Sequence, residues 1–208
     1  MTRIKMCGIT RLQDAQAALE AGADAIGLVF YEKSKRCIDP EKARNIVREL
    51  PPFLSVVGLF VNEALEEIHR IASLVGLDII QLHGDESPEM CQAVERRVIK
   101  ALRIADGEDL AGIASFIPDN GLLLDAKVAG SYGGTGHRFD WSLLKDGQLP
   151  RHYVLAGGLN PDNVAEAVRQ VAPYGVDVSS GVEVSPGIKD SAKMAQFVRR
   201  VRAAETEC

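Results

Sequence analysis

One pattern constrains this chain more than any other: short apolar runs alternate with helix-periodic stretches from end to end. The runs are RIKMC, AIGLVF, LSVVGLF, DIIQLH, VIKALR, GLLLD, YVLAGG and GVDVSSG. Each is continuously hydrophobic rather than alternating, as strands buried on both faces of a parallel sheet must be. Between the first two, RLQDAQAALEAG puts Leu12, Ala15, Ala18 and Leu19 on one helical face and stops at Gly22. Asp39–Pro40 and Ser87–Pro88 set a capping side chain before a proline at the first helical position. Asn62 reads as the cap of the third helix, and Asn160–Pro161 repeats the cap-then-proline pattern late in the chain. DLAGIASF is a weaker helical stretch. Alternating βα units imply a parallel sheet, and eight of them imply closure into a (β/α)8 TIM barrel. With 208 residues the barrel is lean, so residues 1–208 are expected to form a single α/β domain. The competing open, doubly wound sheet would carry GxGxxG after its first strand, and this chain does not.

Composition narrows the partners. A net charge of -5 argues against a nucleic acid or an anionic membrane as partner, since both need a basic face. It leaves room for one anionic small molecule at a local site. No signal-peptide core or membrane-length apolar run is seen, so a cytoplasmic protein is expected. Of the four cysteines, Cys7, Cys37, Cys91 and Cys208, none forms a CxxC pair. Free thiols are therefore expected, with no metal site. Monomer and homodimer are equally compatible with the sequence.

In a (β/α)8 barrel the site is built at the C-terminal ends of the strands. Cys7 ends the first run, Arg36 follows the second, His83 the fourth and Asp125 the sixth. Gly157 and Gly158 follow the seventh run, and Ser179, Ser180 and Gly181 the eighth. Loops after strands 7 and 8 are a recurrent phosphate site, where small residues let backbone N–H groups approach an anion. The alternative is two turns that need glycine only for positive φ. Cys7 and Asp125 across a pocket can serve as general base and general acid, the thiol as base if its pKa is lowered. Asp125 can instead be a cap or pair with Lys127. Arg36 can fork onto a carboxylate, or be a solvated charge beside Lys33 and Lys35. His83 can touch substrate or be a satisfied rim residue. The glycine-rich GSYGGTGHRFDW reads as a lid or as a wall of the site.

Taken in order, KMCGIT, FYEKSKR, QLHGD, LLLDAK, GGTG, LAGGL and DVSSGVE with PGIKD resemble phosphoribosylanthranilate isomerase. The resemblance runs through nearly the whole chain. It implies an aldose–ketose isomerase of tryptophan biosynthesis acting on a phosphorylated small molecule, with no cofactor. It implies Asp125 as the general acid that opens the furanose ring and Cys7 as the base that takes the C2' proton. Arg36 would hold the anthranilate carboxylate, and the backbone at Gly158 and Ser180–Gly181 the phosphate. Met6 stands where many relatives have a smaller or β-branched residue, an expected volume change beside the site. Lys5 and Asp177 receive no firm role. Two rivals remain: another sugar-phosphate barrel using Lys5 or Lys100, and a non-catalytic sensor of a phosphorylated ligand.

Overall fold

A computed structural model describes residues 1–104, 109, 112–116, 121–126, 141–144, 149 and 152–206. Its strands are β1 (Arg3–Cys7), β2 (Ala25–Val29), β3 (Ser55–Phe60), β4 (Ile79–Leu82), β5 (Arg97–Ile104), β6 (Gly121–Ala126), β7 (Tyr153–Leu155) and β8 (Gly175–Val178). They pair in parallel in chain order, and β8 closes onto β1. The helices between them are α1 (Leu12–Ala21), α2 (Pro40–Arg48), α3 (Leu65–Val75), α4 (Pro88–Ala93) and α5 (Val164–Val171). After β8 come a 3-10 turn (Ser180–Val182), a two-stranded ribbon of β9 (Glu183–Ser185) and β10 (Ile188–Lys189), and α6 (Ser191–Thr206). Gly112–Phe116, in the weaker helical stretch, is 3-10 helix. Lys127 and most of GSYGGTGHRFDW lie outside the described residues.

Local chemistry explains most of the helix ends. Asp39 accepts from the N–H groups of Glu41 and Lys42, and Ser87 from that of Met90. Gly22 ends α1 in the left-handed conformation at φ 95°. Asn62 is not the cap of α3: that helix starts two residues later than the cap reading requires, with Ala64 at its N-cap position. Asn62 instead holds φ 52° and accepts from the N–H of Asp85, tying the loop after β3 to the loop after β4. Asn160 likewise caps only a turn, accepting from the N–H groups of Asp162 and Asn163 ahead of α5.

Strand pleating sorts side chains into two sets. Ile4, Met6, Ile26, Leu28, Val56, Phe60, Ile80, Leu82, Leu122 and Leu124 join the core cluster shared with the helices. Met6 is fully buried there, so its volume is felt between sheet and helices rather than beside the site. The opposite set faces the barrel interior. Ile99, Ala101, Leu123, Val154 and Ala156 pack together on one side of it, and Cys7, Val29 and Leu59 lie towards the C-terminal mouth.

Phe60 is fully buried and stacks on Phe30 at 5.3 Å between ring centroids. Phe60→Ala should therefore destabilise the fold by about 4 kcal/mol, as aromatic truncations in cores do. Denaturant unfolding would show this loss, while KM of the folded fraction stays near wild type because the ring faces away from the mouth.

Candidate active site

The barrel has two open ends. A cavity of about 330 Å³ opens at the N-terminal end, among Arg3, Asp24, Phe53 and Arg97. In this architecture that end serves stability. The chemistry-bearing side chains converge at the other end, where Cys7, Tyr31, Arg36, His83, Asp125, Asp177 and Ser179 line one smaller pocket with Gln81. Strand ends deliver them: Cys7 is the last residue of β1, Asp125 lies near the end of β6, and His83 directly follows β4.

Arg36 is already engaged. Its Nε and Nη2 donate to the two carboxylate oxygens of Glu183 at 2.8 and 2.7 Å. Lys189 donates to the same carboxylate at 2.9 Å and to the Ser179 carbonyl at 3.1 Å. Arg36 is thus neither a solvated charge nor an unoccupied fork. Two of its five N–H donors are committed, and the rest of the guanidinium stands at the pocket. Gly8 makes this approach possible, since a Cβ there would stand 2.6 Å from Arg36 Cδ. Burial alone would raise the Glu183 pKa, but Arg36 and Lys189 outweigh it and hold the carboxyl below its ordinary value.

Beneath Cys7, Lys5 Nζ donates to Asp177 Oδ1 at 2.7 Å, in a pair with little exposure. Burial alone would lower the Lys5 pKa; Asp177 and Cys7 turn the balance, and it is raised. For Cys7 the largest influence is burial, which pushes the thiol up, against the pull of Lys5 and Lys189. Opposite, Gln81 Nε2 and His83 Nδ1 are 2.8 Å apart. With the amide as donor, Nδ1 accepts and the ring proton sits on Nε2. That atom stands 3.3 Å from Asp125 Oδ2, outside hydrogen-bond geometry. Among the described residues, Gln81 Oε1 and His83 Nε2 are buried without a hydrogen-bond partner.

The glycine loops adjoin this pocket without lining it. Gly157 and Gly158 have positive φ. Gly181 does not: a Cβ on it would stand 2.0 Å from the Leu159 carbonyl. It is glycine because the loops after β7 and β8 touch there. Lys100 lies away from the mouth, on the helix-facing side of β5. It is buried against Glu86 at 2.6 Å and the Gly84 carbonyl at 2.6 Å, where it braces the loop carrying His83. Among the described residues no group of three or more His, Cys, Asp or Glu could hold a metal ion, and no helix is long and apolar enough to cross a membrane.

Residues 4–200 match the family model described as N-(5'phosphoribosyl)anthranilate (PRA) isomerase. The chain belongs to this family. An N-(5'-phosphoribosyl)anthranilate isomerase of Magnetococcus marinus is 57% identical over 203 residues, covering 98% of this chain and 96% of its own length. The phosphoribosyl anthranilate isomerase of Thermotoga maritima superposes with a TM-score of 0.90 at 46% identity, over 98% of this chain and all (100%) of that one. A further isomerase structure of the family, solved with reduced 1-(o-carboxyphenylamino)-1-deoxyribulose 5-phosphate, has a TM-score of 0.87 at 45% identity, covering 98% of this chain and 100% of that one.

Sequence reasoning found the strand-end residues and missed their partners. Glu183 and Lys189 lie inside the DVSSGVE and PGIKD segments, but nothing in their spacing says that they meet Arg36. Breaking that buried group should be costly: Glu183→Gln should lose about 3 kcal/mol at neutral pH, because two cations keep no carboxylate. A lowered pKa gives stability that is present above the unfolded value and lost as pH falls through the folded one. The ordinary value is 4.5. Urea unfolding should thus show the gap between wild type and Glu183→Gln narrowing below about pH 4. A gap unchanged from neutral to acid pH would show that the carboxylate contributes nothing.

Proposed function

We propose that this chain isomerises N-(5'-phosphoribosyl)anthranilate to 1-(2-carboxyphenylamino)-1-deoxyribulose 5-phosphate, the Amadori rearrangement of tryptophan biosynthesis. The observation that carries the reading is that a thiol and a carboxyl, Cys7 and Asp125, meet at one pocket with Arg36. Asp125 gives its proton to the furanose ring oxygen, the ring opens, and the nitrogen at C1' is left as a protonated imine. Cys7 takes the proton from C2', and the C–H electron pair moves into the imine to give an enolamine that tautomerises to the ketone. The imine is itself the electron sink, so the chemistry needs no cofactor.

The remaining guanidinium edge of Arg36 receives the anthranilate carboxylate, with Glu183 fixing its plane. His83 Nε2 and Gln81 Oε1 give further support: each unmet polar atom costs about 1–3 kcal/mol, which a substrate hydroxyl would recover. The phosphate rests on the backbone around Gly157, Gly158, Ser180 and Gly181, where the two loops touch. The working unit is one barrel domain over residues 1–208. A cytoplasmic setting is supported by Cys7, Cys37 and Cys91 all being free thiols.

Cys7→Ala and Asp125→Asn should each lower kcat by about 10²–10⁴-fold, the range of one proton-transfer group. Asp125→Asn should still bind the reduced product analogue. Substrate fluorescence follows turnover; a kcat within threefold of wild type for either variant overturns that assignment.

Inorganic phosphate should inhibit competitively. Ser180→Asp, which places a second anion at the loop, should raise its inhibition constant about tenfold, equivalent to about 1.4 kcal/mol. Thermal stability should change little. An inhibition constant equal to wild type would move the phosphate elsewhere.

A further inference from the structure

The base assigned to Cys7 sits where a thiolate is hard to make. The thiol is buried, and burial favours its neutral form. What surrounds it is unusual for an apolar pocket. Lys5 faces it from its own strand, Arg36 from the loop after β2, Asp177 from β8 and Lys189 from β10. Glu183 stands behind Arg36 and Lys189. Tyr31, His83 and Asp125 are the other ionisable groups on the pocket wall. The neighbouring strands β2 and β3 present Gly27, Val29 and Leu59, which carry no charge.

The three cations Lys5, Arg36 and Lys189 pair with two carboxylates, Asp177 and Glu183, while Asp125 stands against His83. Within the groups joined by those first three ion pairs one positive charge is left over, and an anion at Cys7 would balance it. The geometry singles out Lys5. A Cβ built on Gly27 would stand 2.8 Å from Cys7 Sγ and 3.2 Å from Lys5 Cε, so the thiol and the end of the lysine chain crowd one spot on the β2 wall. Asp177 is the register partner of Lys5 across the β1–β8 ladder and accepts from the ammonium at 2.7 Å.

We propose that Lys5, anchored by Asp177, is a positioning residue that holds the negative charge of Cys7 once the thiol ionises, letting a buried sulfur serve as the base. The proposal rests on the reading of Cys7 as that base. Lys5 gives up no proton: it stays an ammonium, the thiol's own proton leaves to solvent when Cys7 ionises, and the thiolate then receives one proton, from C2'. Asp177 has two opposed effects, fixing Lys5 in place and repelling the thiolate.

The test is a pH titration of the thiolate ultraviolet absorbance, taken as the difference between each protein and its counterpart carrying Cys7→Ser. Lys5→Met should move the midpoint up by about one pH unit or more, the scale of one nearby opposite charge. Asp177→Asn keeps an oxygen that accepts from Lys5, so it preserves the anchor and removes only the repulsion; it should move the midpoint down. Opposite signs are the decisive feature, because two substitutions that merely loosened the barrel would move it together. A midpoint unmoved by Lys5→Met, or raised by Asp177→Asn, overturns the proposal. If Lys5→Met fails to fold, the double variant Lys5→Met with Asp177→Asn removes both charges and leaves no unpaired carboxylate. Its midpoint should still lie above wild type, since Lys5 acts more strongly on the thiol than Asp177 does; a midpoint at or below wild type overturns the proposal. Full turnover by Cys7→Ala would refute the base reading alone, and the titration does not depend on turnover.

Discussion

A closed ring of eight parallel strands has no edge, and it sends every second side chain into a narrow interior. Everything else in this molecule follows from that constraint. The interior can be filled with apolar side chains only where no chemistry is wanted, as Ile99, Ala101, Leu123, Val154 and Ala156 fill it on one side. Where chemistry is wanted, ionic groups must go in, and in such surroundings each must find a partner. Lys5 and Asp177 meet because the β1–β8 register sets them side by side. Arg36, Glu183 and Lys189 meet because the ribbon after β8 folds back over the loop after β2.

These buried pairs are poor candidates for a stabilising design. Replacing such a pair by well-packed apolar residues is often neutral or favourable. Their value lies in what they do to their neighbours. Glu183 holds the guanidinium plane of Arg36 before any ligand arrives, so less entropy would be lost if a second carboxylate docked there. The cations around Cys7 oppose the effect of burial on the thiol. The site is thus organised on two walls, a cationic one around Cys7 and one around Asp125 where His83 and Gln81 keep polar atoms unmet among the described residues.

Much of this was legible without coordinates. The apolar runs predict all eight strands, because a strand buried on both faces leaves a continuous hydrophobic signature. Cys7, His83 and Asp125 were visible as polar interruptions at strand ends, where this architecture places its sites. The misreadings share one cause. Asn62 looks like a helix cap because its residue type suits one, yet Gly84 and Asp85 from the next loop claim it. The alternative that Gly181 is glycine only for positive φ fails in the same way: it is small because the Leu159 carbonyl lies against it. In both, a contact between segments far apart in the chain overrides a local preference.

The sequence by itself determined the fold class, the order of the strands and the residue types offered at the mouth, because hydrophobic periodicity and capping are local properties. It could not determine which inward side chains touch. That depends on the stagger between strands: a shift of one residue between β1 and β8 would turn Asp177 away from Lys5. Only the closed barrel set that register, and with it the charges that surround the thiol of Cys7 and the carboxylate that orients Arg36.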